Sequence, residues 1–158
     1  MVDLQIRERK QKIIATNRKA RHEFEILQTI EAGIVLQGTE VKSLRAGMCS
    51  IQDAYASFNV PDSNDLYLIN FHISPYKNAS FANHEPKRTR KLLLNWRQAV
   101  KLKTAVTEKG CTIVPLTIYF SGPFVKVEIA LVRAKKKYDK REATKKREVE
   151  IEIRRKYR

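Results

Sequence analysis

Residues 134–158 read AKKKYDKREATKKREVEIEIRRKYR, with twelve Lys or Arg against five acids and Tyr138 set inside the first basic cluster. Cations at that density need a polyanion to pair with, and a phosphate backbone is the natural one. Tyr138, beside Lys137 and Lys140, adds an aromatic face, the combination that stacks on a nucleobase. A second cationic group, Lys87, Arg88, Arg90 and Lys91, runs into Leu92, Leu93, Leu94 and Asn95. Residue sets for bond-breaking chemistry are much poorer. His22, His72 and His84 are scattered, and the chain has no Gly-rich phosphate loop, HExxH or GxSxG. Cys49 and Cys111 stand far apart without a CxxC or His-rich partner, so two reduced thiols are expected and no metal or other cofactor.

The 158 residues carry 32 basic and 17 acidic side chains, a net charge of +15. Of that excess +7 sits on residues 134–158 and +8 on the rest, so the body is basic in its own right. Such an excess favours contact with anions and says nothing about fold. Nucleic acid is the favoured partner. An anionic membrane surface is the competitor, weakened because no apolar run approaches the ~18 residues that span a bilayer. The first twenty residues hold no apolar segment of signal-peptide length, which places the expected site of action in the cytoplasm.

These residues need a scaffold, and a 42% hydrophobic content is enough for one core. Residues 24–30 alternate as a half-buried strand, with a short helical turn expected over 31–36. Residues 41–45 and 54–58 read as short strands, and 66–73 as a longer one led in by Pro61, Asp62, Ser63, Asn64 and Asp65. Asn95 is a good N-cap with Gln98 three residues on, and Gly110 is a natural stop, so a helix should run between them with Ala99, Leu102 and Val106 on its inner stripe. Residues 112–120 and 124–132 form a hairpin across Ser121, Gly122 and Pro123. Pro115 cannot donate to a ladder and predicts an edge or a bulge.

The fold class that follows is mainly β: an OB-type antiparallel barrel of five to six strands with a few helices. The expected division is an N-terminal extension over 1–16, the barrel over 17–133 and a basic tail over 134–158. Three acid-to-base spacings (Glu142 and Lys146, Glu150 and Arg154, Glu152 and Lys156) favour a helix in the tail, while 149–153 alternate like a strand. An isolated helix of this length is marginal in water, so the tail is expected to be disordered when free and ordered when bound.

Four strings carry a further signal: NRKARHEFEI at 17–26, EAGIVLQGTEVKSLRAG at 31–47, NHEPKRTRKLLLN at 83–95 and KKKYDKRE at 135–142. In this order and at these intervals they resemble the small protein B family, the SsrA-binding proteins of bacterial trans-translation. The resemblance implies a barrel that binds the tRNA-like domain of transfer-messenger RNA and a tail that enters the decoding region of a stalled ribosome. It implies RNA-facing roles for His22, Glu31, Leu93 and Asn95, with Arg21, Lys42, Arg45, Arg88, Arg90 and Lys91 as basic neighbours. In the tail it implies ribosome contacts at Lys136, Lys137, Tyr138, Asp139, Lys140 and Arg141. The implied partners are transfer-messenger RNA and the ribosome, with one monomer per RNA, no membrane and no catalysis. Trp96 stands where the family more often has a polar or basic residue.

These types suit a structured RNA, which offers phosphates to Arg and Lys, unstacked bases to apolar groups, and base edges or 2′-hydroxyls to Asn, Glu and His. Glu31 on a basic face should accept from a base amino group or hold a neighbouring cation. Structural readings stand beside these: Asn95 as a cap, Leu93 as core, Glu31 favouring a helix start, and the 88–91 cations as a solvated face. Two rival functions stay open, an RNA-processing enzyme using His22 with Glu31 as acid and base, and a constitutive ribosomal protein.

Overall fold

The computed structural model describes residues 11–79, 82–135 and 137–157, and at 137–140 the backbone alone. The chain runs β1 (Gln11–Thr16), α1 (Arg18–Glu23), β2 (Phe24–Ile34), α2 (Gly38–Arg45), β3 (Cys49–Ser50), β4 (Tyr55–Ser57), β5 (Leu66–Ile69), β6 (His72–Ile73), β7 (Arg90–Leu93), α3 (Trp96–Lys109), β8 (Thr112–Ser121), β9 (Phe124–Ala134) and α4 (Lys137–Lys156). Hydrogen-bonded neighbours follow the order β1-β8-β4-β5-β7-β2-β9, and β9 pairs back onto β8. Six strands therefore close into an antiparallel OB-type barrel, β1 adds to β8, and β3 pairs with β6 in a separate two-stranded sheet.

Alternation builds the barrel wall. On β9, Val125, Val127, Ile129 and Leu131 point into a core shared with Phe71, Ile73, Leu68 and Leu92, while Lys126 and Glu128 stay half-exposed. Near the other end of β9 the outer face is buried too, because Ala130 and Val132 pack with Val114, Leu116 and the α1 residue Ala20. Pro115 sits at a register shift between β8 and β9. On the opposite edge of β8, β1 pairs up to Thr117 and β4 takes over at Ile113, so the proline occupies the junction where no N–H is required. Asn17 seals that junction: its backbone N–H donates to Leu116 O at 2.7 Å, and its side-chain amide donates to Pro115 O at 3.1 Å.

The helix bracketed by Asn95 and Gly110 forms as its caps require. Asn95 Oδ1 accepts from the Arg97 N–H at 3.0 Å, and Gly110 ends the helix at φ 62°, a conformation glycine adopts without steric cost. Ala99 and Leu102 are its buried contacts with the barrel.

Four expectations are corrected. Residues 31–36 are not a helical turn, because β2 runs on to Ile34 with ladders to β9 on one side and β7 on the other. Residues 41–45 belong to α2, where Glu40, Ser43 and Leu44 fall on one buried stripe and Gln37 and Glu40 form a reciprocal capping box. The run 66–73 breaks at Asn70, whose φ of 60° separates β5 in the barrel from β6 in the small sheet. Residues 11–16, assigned to an extension, are a strand of the main sheet.

The tail also differs from the disordered segment expected of the free chain. It is helical from Lys137 to Lys156, and the Glu152 and Lys156 pair closes at 3.5 Å. Among the described residues, no helix is long and apolar enough to cross a membrane.

Candidate nucleic-acid interface

Register assembles a face that no single segment contains. Leu93 lies opposite Gly33, Gly33 opposite Lys126, Lys126 opposite Tyr119, and Tyr119 opposite Ile13, a row crossing five strands. Directly paired residues share a face of a sheet. Here it is the outer one, since Leu93 is 52% and Ile13 66% exposed. Glu31, two residues before Gly33 on β2, projects from the same face.

The Glu31 carboxylate accepts hydrogen bonds from Lys126 Nζ and the Tyr119 hydroxyl. The Lys126 bond, then the Tyr119 bond, hold its carboxyl below the ordinary 4.5. Burial first, and the Glu31 bond second, push the Tyr119 phenol above its ordinary 10.0. At neutral pH the carboxylate is therefore ionised and the phenol protonated. Two hydrogen bonds leave about half of a carboxylate's acceptor sites available to an outside donor. The same geometry disfavours the nuclease reading, because Glu31 is bonded to Lys126 and Tyr119 rather than to His22.

Gly33 shapes the ground beside this cluster. A Cβ at that position would lie 3.2 Å from Leu93 Cβ. Its absence leaves a groove of about 340 Å³ whose lining includes Leu36, Val41, Leu93, Phe124 and Lys126. Cations flank the groove. Lys42 and Arg45 are exposed on α2, with Lys42 Nζ 5.3 Å from the centre of the Tyr76 ring. Arg45 shares a second cleft with Lys12, Phe120 and Pro123 at the turn between β8 and β9. Asn95 is exposed just beyond Leu93, so its cap and a contact through its amide N–H groups are compatible.

Arg21 and His22 lie elsewhere. They end α1, and the eight residues from Glu23 to Glu31 put them about 25 Å from the carboxylate along β2. Arg21 is exposed and His22 half-buried. Lys135 joins this end of the molecule: its backbone N–H donates to Glu23 O at 3.1 Å and its Nζ to Arg21 O at 3.3 Å. A lysine on these last carbonyls suits the negative end of α1 and roots α4 there. A ligand that meets both ends of the body must be a macromolecule.

The 88–91 cluster divides by burial. Arg90 is fully buried, bonded to the equally buried Glu40, to Phe71 O at 2.6 Å and to Arg88 O at 3.0 Å. It is a strut between β7 and α2, and the expectation that it faces RNA is withdrawn because no part of its side chain reaches solvent. Arg88 Nη2 also bonds Glu40, at 2.7 Å, and keeps 29% of its side chain exposed. Burial raises the Glu40 pKa, but bonds from Arg88, the Gln37 N–H and Arg90 outweigh it and hold the carboxyl below 4.5. His84 completes the brace, with Nδ1 2.9 Å from Thr39 Oγ1 and Nε2 2.9 Å from Ile73 O. Lys91 remains available: it pairs with Asp65 at 3.3 Å, and both side chains are more than 40% exposed.

In the tail, Arg141 is exposed. Lys137, Tyr138, Asp139 and Lys140 occupy the first turn of α4, and the expectation for Lys136 lies outside the described residues. Sequence reasoning missed Gly33, Tyr119, Phe124 and Lys126. Alternation along β9 points Lys126 outward, and a glycine inside a strand marks a close approach, but their convergence on Glu31 and Leu93 depends on register.

A basic OB-type barrel with exposed apolar side chains at Leu93 and Ile13, a fixed carboxylate and a rooted cationic helix is a module of the class that grips structured nucleic acid. The family model described as SmpB protein matches residues 14–158, and the chain belongs to that family. It is 49% identical over 143 residues to an SsrA-binding protein of Carboxydothermus hydrogenoformans, covering 90% of this chain and 94% of the relative. A Salinispora tropica SsrA-binding protein is 50% identical over 147 residues, covering 93% and 91% respectively. A chain in a solved structure of tmRNA-SmpB in the bacterial ribosome superposes with a TM-score of 0.65 at 46% identity, covering 84% of this chain and 94% of that one.

Proposed function

We propose that the protein is a non-enzymatic adaptor. It binds the tRNA-like domain of transfer-messenger RNA and delivers it to stalled ribosomes for trans-translation, with the C-terminal helix acting in the decoding region and mRNA channel. The observation that carries this reading is the row running from Leu93 through Gly33 to Lys126, with Glu31 beside it. It offers apolar surface, a cation and an ionised acceptor at one place, the set that a folded RNA with accessible bases requires.

In this reading Glu31, Leu93 and Asn95 contact bases or ribose. Lys42, Arg45 and Lys91, with the exposed part of Arg88, contact phosphate. Arg21 and His22 meet the same RNA at the root of the tail. Lys136, Lys137, Tyr138, Asp139, Lys140 and Arg141 anchor the tail on the ribosome. The protein works in the cytoplasm as a monomer, one per RNA.

The test is native purification of the full chain from a bacterial host followed by sequencing of the bound RNA. One intact small RNA, transfer-messenger RNA, should dominate. Cleaved fragments would indicate the nuclease, and full retention on salt-washed ribosomes would indicate a constitutive ribosomal protein.

A further inference from the structure

Trp96 is the chain's single tryptophan and is 68% exposed at the first position of α3. An indole has 150–250 Å² to bury and ordinarily does so. This one does not, although its helix is tightly held. Ala99 and Leu102 seat α3 on the core, and Lys103 Nζ donates to Pro61 O at 2.5 Å and to Ser63 O at 2.7 Å. The ring is thus presented on a rigid element.

Its neighbours say what the ring is presented to. Leu93, itself 52% exposed, is three residues earlier, so the two Cα atoms are within about 11 Å of each other. The first turn of α3 carries no acid, and Arg97 and Lys101 beside it are exposed. Apolar ring, adjacent cations and the Glu31 acceptor on the neighbouring face are complementary to an unstacked base on a phosphodiester chain, and no comparable argument favours an apolar protein surface at this cationic turn.

We propose that Trp96 is a nucleobase-stacking residue that packs on an unpaired base of the RNA held at the Leu93 and Glu31 face. This rests on the RNA-binding reading above and extends it to a contact outside the four family strings' RNA-facing set. Stacking of one base corresponds to about a 5- to 150-fold effect on affinity.

The test uses the full chain and transcribed transfer-messenger RNA, with heparin as a polyanion lacking bases. Because the protein has one tryptophan, its fluorescence reports this site alone. Saturating RNA should quench it and heparin should not. Trp96→Ala should weaken RNA binding about 5- to 150-fold in a filter assay, Trp96→Phe should restore most of that loss, and the melting temperatures of both variants should match the parent. Wild-type affinity for Trp96→Ala with unquenched parent fluorescence would overturn the stacking role and leave the RNA-binding reading intact. A parent protein that retains no RNA on the filter would overturn both. Quenching only on addition of ribosomal subunits would also overturn the proposal, placing the ring against the ribosome instead.

Discussion

Glu40→Ala removes the acid from a cluster whose cation cannot escape. Glu40 and Arg90 are both fully buried, so the variant leaves a guanidinium in the interior with only the carbonyls of Phe71, Arg88, Glu85 and Pro86 as acceptors. Breaking a buried pair from one side costs about 3–5 kcal/mol. The α2 capping box goes as well, because Glu40 accepts the Gln37 N–H at 2.8 Å, and a lost cap costs about 1 kcal/mol. The carbonyls that remain bonded to Arg90 argue for the lower end, so we expect about 4 kcal/mol in all. With a urea m-value of about 2 kcal/mol/M, the midpoint should fall by roughly 2 M.

The pH dependence has a definite sign. The folded carboxyl lies below its ordinary 4.5, so its contribution is complete above that value and is lost as pH falls through the folded pKa. The gap between parent and variant should therefore be full at pH 7 and narrow under acid. Urea melts by circular dichroism at pH 7 and pH 4 measure both effects. A loss under about 1 kcal/mol at pH 7 would refute the account of this cluster as a strut, since that is the scale of an exposed pair.

Three further outcomes follow. Gly33→Leu places a branched side chain where even a Cβ comes within 3.2 Å of Leu93, so it should fill the groove and weaken RNA binding in a filter assay more than it lowers the melting temperature. Glu31→Gln removes the charge from a half-exposed pair with Lys126 and should cost under about 1 kcal/mol of stability in a urea melt, while RNA affinity falls. Glu150→Pro interrupts α4 well past its anchor and, at about 3 kcal/mol of helix disruption, should block peptide tagging on stalled ribosomes with RNA affinity unchanged.

Much of the scaffold was legible because its signals are local. Asn95 and Gly110 bracket α3 through their own backbone preferences, and Pro115 announces its bulge because it lacks an N–H. Residues 41–45 misled because Val41 suggests a strand; the deciding facts are the Gln37 and Glu40 box, visible in the sequence, and Arg90, fifty residues away. The candidate face shows the same division. Residue types flagged Glu31, Leu93 and Asn95 through their strings, yet Lys126 and Tyr119 meet Glu31 only after β9 and β8 have paired in register. Arg90 was misplaced for the converse reason: a basic cluster reads as surface until burial distinguishes its members.

In the proposed function the barrel holds the RNA while the tail engages the ribosome. A chain ending at Lys135 keeps the bonds from that residue to Glu23 and Arg21, and with them the closed body. Its affinity for transfer-messenger RNA and its tagging activity, measured together in a reconstituted stalled-ribosome assay, test the division most directly. Affinity of the same order as the full chain, with tagging abolished, is the expected result. Loss of RNA binding with the tail, or normal tagging without it, would contradict it.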